Sequence, residues 1–307
     1  MHFNNVKIIV TGGAGFIGSH LVDALIERGA RDVHVIDNLS TGKKEYVNPK
    51  AILHKLDIRD YDAIFPVFQG AQFVFHLAAL ARIQPSIQDP KTAHDINATG
   101  TLNILLASSK NKVRRVIYSA SSSAYGNQTE MPLHEDMRPQ PLNPYAAQKY
   151  FGEIYCRMFS NLYGLETVAL RYFNVYGPRQ PEEGPYATVI GIFLRQKKQR
   201  EPMTVVPNGH QKRDYTHVRD VIRANLLAAE SRHIGKGEII NIGTHTNHSV
   251  LDVAGLIGGP TVFIEPRLGE ARETLANISK AKNTLAWEPQ VGFEEGIEEL
   301  KKLSGLV

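Results

Sequence analysis

Cysteine is nearly missing from this chain: of 307 residues, only Cys156 carries a thiol. A lone cysteine excludes intrachain disulfides and any metal site built from several thiolates, and it fits a reducing compartment. A cytoplasmic protein without a metal is expected. No run of about eighteen apolar residues occurs, so no membrane-spanning helix is expected. The first apolar run begins at Lys7, which leaves no room for a signal peptide. Internal repeats and low-complexity tracts are also missing. Nor is the charge one-sided: 35 basic residues face 31 acidic ones, for a formal net charge of +4. Acids interspersed with bases argue against a nucleic-acid binder, and a modest positive balance suits a small anionic substrate. The densest basic cluster, "RQKKQR" from Arg195 to Arg200, reads as the end of a helix, where cations favour the C-terminus.

What is present is an alternation of buried strands with amphipathic helices. "KIIVTGG" (Lys7–Gly13), "VHVID" (Val33–Asp37), "FVFHLAA" (Phe73–Ala79), "RVIYSAS" (Arg115–Ser121) and "ETVALRYF" (Glu166–Phe173) are short, apolar and rich in β-branched or aromatic residues. Continuous rather than alternating hydrophobicity predicts strands covered on both faces of a parallel sheet. Helical patterns lie between them at Phe16–Arg28, Thr92–Ser109 and Tyr145–Tyr163. The fold class is therefore α/β, a doubly wound Rossmann-type sheet. After Gly177, "GPRQPEEGP" reads as a loop leaving the sheet, and the later segments suit a smaller C-terminal α/β lobe. "DVIRANLLAAE" followed by "EIINIG" predicts a return to the first sheet. The expected domains are thus discontinuous: 1–177 plus 216–244, and 178–215 plus 245–307.

"VTGGAGFIGSH" places Gly12, Gly15 and Gly18 directly after a strand and at the start of a helix, with Phe16 and Ile17 between the last two. Glycine lets a backbone turn tightly against a pyrophosphate, whose charge suits the helix N-terminus. Such a turn also occurs for steric reasons alone. The second strand ends at Asp37, nineteen residues beyond Gly18 and beside Asn38, where a carboxylate can accept bonds from an adenine ribose. That carboxylate repels a 2′-phosphate and no arginine directly follows it, so NAD is favoured over NADP. Asp37 also reads as a turn residue before "NLSTG". Asp57 and Ile58, after the third strand, are expected to flank the adenine.

"NPYAAQKYFGE" sets Tyr145 one helical turn before Lys149, on one face. "SASSSAYG", Ser119 to Gly126, sits at the carboxyl end of a parallel strand, where open α/β sheets bind ligands. The glycine triplet, "HLAALA", "SSSAYG", the tyrosine–lysine pair, "RYFNVYGP" and "RLGEARE" together resemble the extended short-chain dehydrogenase/reductases. More narrowly, from about Lys7 to Trp287 the chain is similar to the UDP-hexose 4-epimerases.

The resemblance implies that Tyr145 takes the proton from a sugar hydroxyl and that Lys149 favours the phenolate and holds the nicotinamide ribose. A free phenol titrates near pH 10, so neighbouring positive charge has to lower it. Ser121 is implied to bond the reacting oxygen, with Ser123 sharing that task and Ser122 on the substrate side. Leu77, Ala78, Ala79, Asn97, Ser119 and Tyr172 join the implied cofactor site. Asn174, Arg213 and Arg267 match diphosphate ligands, and Glu270 the acid that holds the uridine ribose. NAD is expected to be regenerated each turnover as a bound prosthetic group, and helices 92–109 and 145–163 to pair in a homodimer.

Related dehydratases and decarboxylases carry an acid close after the serine or threonine of the fifth strand; here Ser121 is followed by Ser122, Ser123 and Ala124. That favours epimerisation. Thr274 matches the position walling the 2-substituent of the sugar, and its small size implies that UDP-N-acetylglucosamine is accepted beside UDP-glucose. Arg82 stands where the family has small residues, which raises UDP-glucuronate as an alternative substrate. Against that, uronate epimerases carry threonine at the Asn174 position. A dinucleotide-sensing regulator on the same fold is the non-enzyme alternative, and it needs neither the tyrosine–lysine pair nor the arginines.

Overall fold

In a computed structural model, residues 3–184, 187–266 and 268–306 are described. Among them, seven strands form one parallel sheet: Lys7–Thr11 (β1), Asp32–Ile36 (β2), Ile52–His54 (β3), Ala71–His76 (β4), Arg115–Ser121 (β5), Glu166–Tyr172 (β6) and Lys236–Ile242. The last is β11, because four two- or three-residue strands precede it: Val175–Tyr176 (β7), Met203–Val205 (β8), Lys212–Arg213 (β9) and Thr216–His217 (β10). The sheet order is β11-β6-β5-β4-β1-β2-β3, so the winding reverses between β1 and β4. β10 pairs with β7, while β9 and β8 pair with His248–Ser249 (β12) and Thr261–Phe263 (β13).

The apolar runs form strands because both faces are covered. Ile8, Val10, Phe73, Phe75 and Ile117 point into one core, whereas Ile9, Val74, Val116 and Tyr118 point into the other. Successive side chains of a strand alternate faces, so a continuous apolar run is what two cores require. Helix Phe16–Glu27 (α1) follows β1. Tyr61–Ile64 (α2), Ile83–Gln88 (α3) and Pro90–His94 (α4) are short, and Gly100–Lys110 (α5) packs against Pro144–Tyr163 (α6). The single helix expected over 92–109 is interrupted: a wide π-type turn at Asp95–Thr99 separates α4 from α5. Within that turn Asn97 points inward and bonds the backbone of Leu80.

A third core belongs to the later segments. Phe193 and Leu194 of Val189–Lys198 (α7), Val253 and Ile257 of Val250–Ile257 (α9), and Phe293 and Ile297 of Phe293–Leu303 (α11) bury one another with Tyr176 and Tyr215. As expected from "RQKKQR", Arg195, Lys197 and Lys198 fall in the last turn of α7. Val218–Glu230 (α8) and β11 return the chain to the first sheet. One stretch departs from the expected boundaries. Ala276, Ile278, Trp287, and Ala281 and Leu285 of Ser279–Leu285 (α10), join the core of the large sheet, not that of the smaller lobe. Trp287 drives this: its large apolar surface is fully buried, and its indole N–H donates to the Asp220 carbonyl at 2.9 Å.

Candidate functional site

A cavity of about 1560 Å³ opens at the carboxyl ends of β1, β4 and β5, beside the reversal of winding. It exceeds the roughly 300–1,000 Å³ that one drug-sized ligand fills, so two nucleotides can share it. One end is the glycine turn. Gly12 has φ +72°, and a side-chain carbon there would sit 2.8 Å from the Ala78 nitrogen. At Gly18 it would strike the Gly12 carbonyl. The Gly15 N-cap of α1 has no side-chain partner, so the first N–H groups face the cavity beside Phe16 and Ile17. Bare backbone beside an uncapped helix start is a cradle that fits a pyrophosphate.

Asp37 also lines the cavity, and its oxygens accept from Ala14 N at 3.0 Å and Leu39 N at 2.8 Å. Burial raises its pKa, and those two bonds oppose the rise. It thus shapes the turn and keeps lone pairs for a ribose. Asn38 donates to Asp57 at 2.9 Å, and Asp57 is held well below the usual carboxylate range chiefly by its bonds from Arg59. Asp57 and Ile58 line the same end of the cavity as Asp37.

Leu77, Ala78 and Ala79 line the floor, and their position rests on residues that motif reasoning missed. The Leu77 and Ala78 N–H groups donate to Thr11 Oγ1 at 3.2 and 3.1 Å. Thr11 Oγ1 lies 2.7 Å from His76 Nδ1, and His76 Nε2 lies 3.0 Å from Thr101 Oγ1, which donates to the Asn97 carbonyl at 2.6 Å. Since Thr101 spends its proton on that carbonyl, His76 carries its proton on Nε2 and accepts from Thr11 at Nδ1. Burial, with the Lys149 charge second, pushes His76 down to about 3, so the ring is neutral. Asn97, expected among the cofactor ligands, is 1% exposed and holds Leu80, accepting from its N–H at 2.8 Å and donating to its carbonyl at 3.1 Å. That pair of bonds fixes Leu80, which lines the cavity.

At the reacting end, Tyr145 and Lys149 share one face of α6, whose start is set by Asn143 accepting from Ala146 N at 2.9 Å with Pro144 next. Asn143 also donates to the Gly269 carbonyl at 2.9 Å, tying this helix to the loop that carries Glu270. Ser123 donates to Ser121 at 2.8 Å, and both serines line the cavity with Tyr145. Lys149 Nζ donates to the Ser119 carbonyl at 2.8 Å. Burial raises the Tyr145 phenol, and Ser121 and the Arg82 charge oppose the rise. Burial likewise lowers Lys149, to about 8. Tyr172 lines this end, and its hydroxyl donates to Asn225 at 2.9 Å.

The far end collects residues from the smaller lobe. Asn174 donates to Asp214 O at 3.2 Å and to Thr274 Oγ1 at 3.3 Å. Arg213 and Glu270 face one another at 3.4 Å, and both line the cavity with Ser122, Thr274 and Arg82. Arg267 lies outside the described residues. Arg179, Lys43 and Tyr46 also line the mouth, and the two cations approach the tyrosine ring at 5.6 and 5.3 Å. Sequence reasoning passed over them because they carry no motif.

A glycine cradle and a tyrosine–serine–lysine group, half-buried but for its buried lysine, in one cleft of a parallel sheet define the class of nucleotide-dependent α/β enzymes. Residues 8–243 match the NAD dependent epimerase/dehydratase family, and the chain belongs to that family. It is 40% identical over 299 residues to a putative UDP-glucose 4-epimerase of Methanocaldococcus jannaschii, covering 95% of this chain and 96% of the relative. A Thermotoga maritima UDP-glucose 4-epimerase solved with UDP-glucose superposes with a TM-score of 0.92 at 40% identity, over 97% of this chain and 99% of that one. A UDP-N-acetylglucosamine 4-epimerase of Methanobrevibacter ruminantium, solved with UDP-N-acetylmuramic acid, superposes at 0.90 with 37% identity, over 97% and 98%.

Proposed function

We propose that this protein is an NAD-dependent UDP-hexose 4-epimerase that accepts UDP-N-acetylglucosamine and its galacto epimer beside UDP-glucose and UDP-galactose. The observation that carries this is that Tyr145, Ser121 and Lys149 line one cavity between the glycine cradle and the Asn174–Thr274 wall. Bound NAD⁺ supplies the reversible hydride acceptor that epimerisation at C4 through a transient 4-keto sugar requires. Tyr145 removes the proton of the 4-hydroxyl, and Ser121, itself bonded by Ser123, fixes the same oxygen. Lys149 adds positive charge to the site. Because burial holds the phenol up, proton removal leans on Ser121 and on the Arg82 charge as well.

Asp37 and Asp57 would hold the adenosine side, and Asn174, Arg213, Arg267 and Glu270 the UDP. Arg213 and Glu270 must exchange their mutual contact for bonds to ligand, and guanidinium suits a diphosphate well. The cofactor would rest on 1–177 plus 216–244 and the sugar nucleotide mainly on the smaller lobe. A homodimer would use α5 and α6, since Phe151, Ile154, Met158 and Leu162 of α6 form an exposed apolar stripe. Among the described residues no helix is long and apolar enough to cross a membrane. The single buried Cys156 fits a cytoplasmic protein.

Purified protein incubated separately with UDP-glucose, UDP-N-acetylglucosamine and UDP-glucuronate, followed by proton NMR, tests this. Epimers of unchanged mass are expected from the first two. Loss of water or carbon dioxide would point instead to a dehydratase or decarboxylase, and turnover of the uronate alone would move the substrate to the Arg82 alternative.

A further inference from the structure

Three charged side chains lie buried behind the reacting end, and the chemistry above employs one of them. Lys149, Glu153 and Arg171 are 4%, 1% and 1% exposed. Glu153 follows Lys149 by one helical turn on the same face of α6. Its carboxylate accepts from Arg171 Nε at 2.7 Å and Nη2 at 2.6 Å. Arg171 stands on β6 opposite Ala120, the residue before Ser121, and its guanidinium lies 4.4 Å over the Tyr125 ring. The Tyr125 hydroxyl in turn donates to Asn241 at 2.8 Å.

A buried ion pair is seldom more stable than apolar side chains of the same volume, so stability alone does not account for this one. Its neighbours suggest a purpose. Lys149 is faced by Tyr145, Glu153 and Cys156 from its own helix, by Tyr118 from β5 with the ring 4.9 Å from Nζ, and by His76 from β4, while Arg171 stands behind Glu153. Burial keeps the Tyr118 hydroxyl and the Cys156 thiol protonated, and His76 is neutral. Burial also disfavours charge on Glu153, but two short bonds from Arg171 hold the carboxylate ionised. Among these described neighbours, Glu153 is the one anion, a helical turn from a nearly buried ammonium.

We propose that Glu153, fixed by Arg171, is a positioning residue that keeps Lys149 protonated at the reacting end. Its consequence for turnover rests on the functional reading above; its consequence for Lys149 does not. Arg171 aims the carboxylate, and the carboxylate sustains the ammonium that the tyrosine works beside.

Glu153→Gln keeps the shape and removes the charge. The alkaline limb of the kcat/KM profile is expected to move to lower pH by on the order of one unit, which lowers kcat/KM on that limb about tenfold. The Lys149 titration, followed by NMR of protein carrying ¹³Cε-lysine and assigned with Lys149→Met, is expected to move the same way. A folded Glu153→Gln protein with both the limb and the titration unmoved overturns the proposal. Should that variant fail to fold, Glu153→Leu combined with Arg171→Met leaves no lone buried charge and is read by the same two outcomes. Should the parent turn over no UDP-sugar, the functional reading fails, while the lysine titration still supports or overturns this proposal.

Discussion

Thr274→Tyr separates the two classes of sugar most directly, and the structure sets its size. Thr274 is 6% exposed, and its hydroxyl accepts from Asp214 N at 3.2 Å and Asn174 Nδ2 at 3.3 Å. Tyrosine withdraws that acceptor, and a buried N–H left unpaired costs about 1–3 kcal/mol. The ring has no place in the packed wall, where forced insertion costs about 1–3 kcal/mol more, so it turns into the cavity that Thr274 already lines. There it takes the volume proposed for the N-acetyl group. Turnover of UDP-N-acetylglucosamine is expected to vanish. UDP-glucose turnover is expected to fall no more than about tenfold, because a loosened Asn174 forfeits of the order of 1.4 kcal/mol. Thr274→Ser, which keeps the acceptor, is expected to retain both activities. The assay is the anomeric proton signal of each UDP-sugar, with thermal unfolding as the folding control. A folded Thr274→Tyr protein that turns over N-acetyl substrates as the parent does would refute the assignment of that wall.

Tyr145→Phe keeps the ring and removes the base, so turnover is expected to drop at least about 100-fold with NAD content unchanged; persisting turnover would remove Tyr145 from its role. His76 predicts a pH dependence. Its pKa falls from 6.5 to about 3 on folding, so the unfolded chain binds a proton there that the folded chain does not. Stability is therefore whole above about pH 6.5 and declines as pH falls toward 3. His217, lowered to about 4 by burial, acts in the same window, so the comparison is with His76→Gln, whose melting temperature is expected to depend less steeply on pH. An equal slope in both proteins would contradict the neutral, doubly bonded ring. Phe151→Asp with Met158→Asp is expected to halve the mass seen by light scattering; a parent already monomeric would discard the α6 interface.

Features that repeat over a few residues were legible in the sequence. Strand and helix periodicities located β1, β2, β4, β5, β6 and β11 to within a few residues. The glycine spacing gave the cradle, and the one-turn separation put Tyr145 and Lys149 on a common face. These are properties of local backbone geometry, which neighbouring residues dictate. Where a side chain's role depended on a distant partner, local pattern was silent or misleading. Asn97 joins the implied cofactor site by resemblance alone, and its bonds to Leu80, seventeen residues away, leave no mark in the local pattern. The chain from Thr11 through His76 to Thr101 spans three elements and has no motif.

The electrostatics of the reacting end were also decided by the fold. A tyrosine beside a lysine suggests a depressed phenol, yet packing removes water from both, raising Tyr145 and lowering Lys149. Desolvation depends on everything that surrounds a group, and only the assembled layers of β4, β5, β6 and α6 supply those surroundings. Sequence alone thus determined which chemical groups are present and in what local order. Tertiary structure decided which of them are dry, charged and paired, because burial and long-range contact exist only once the chain has closed on itself.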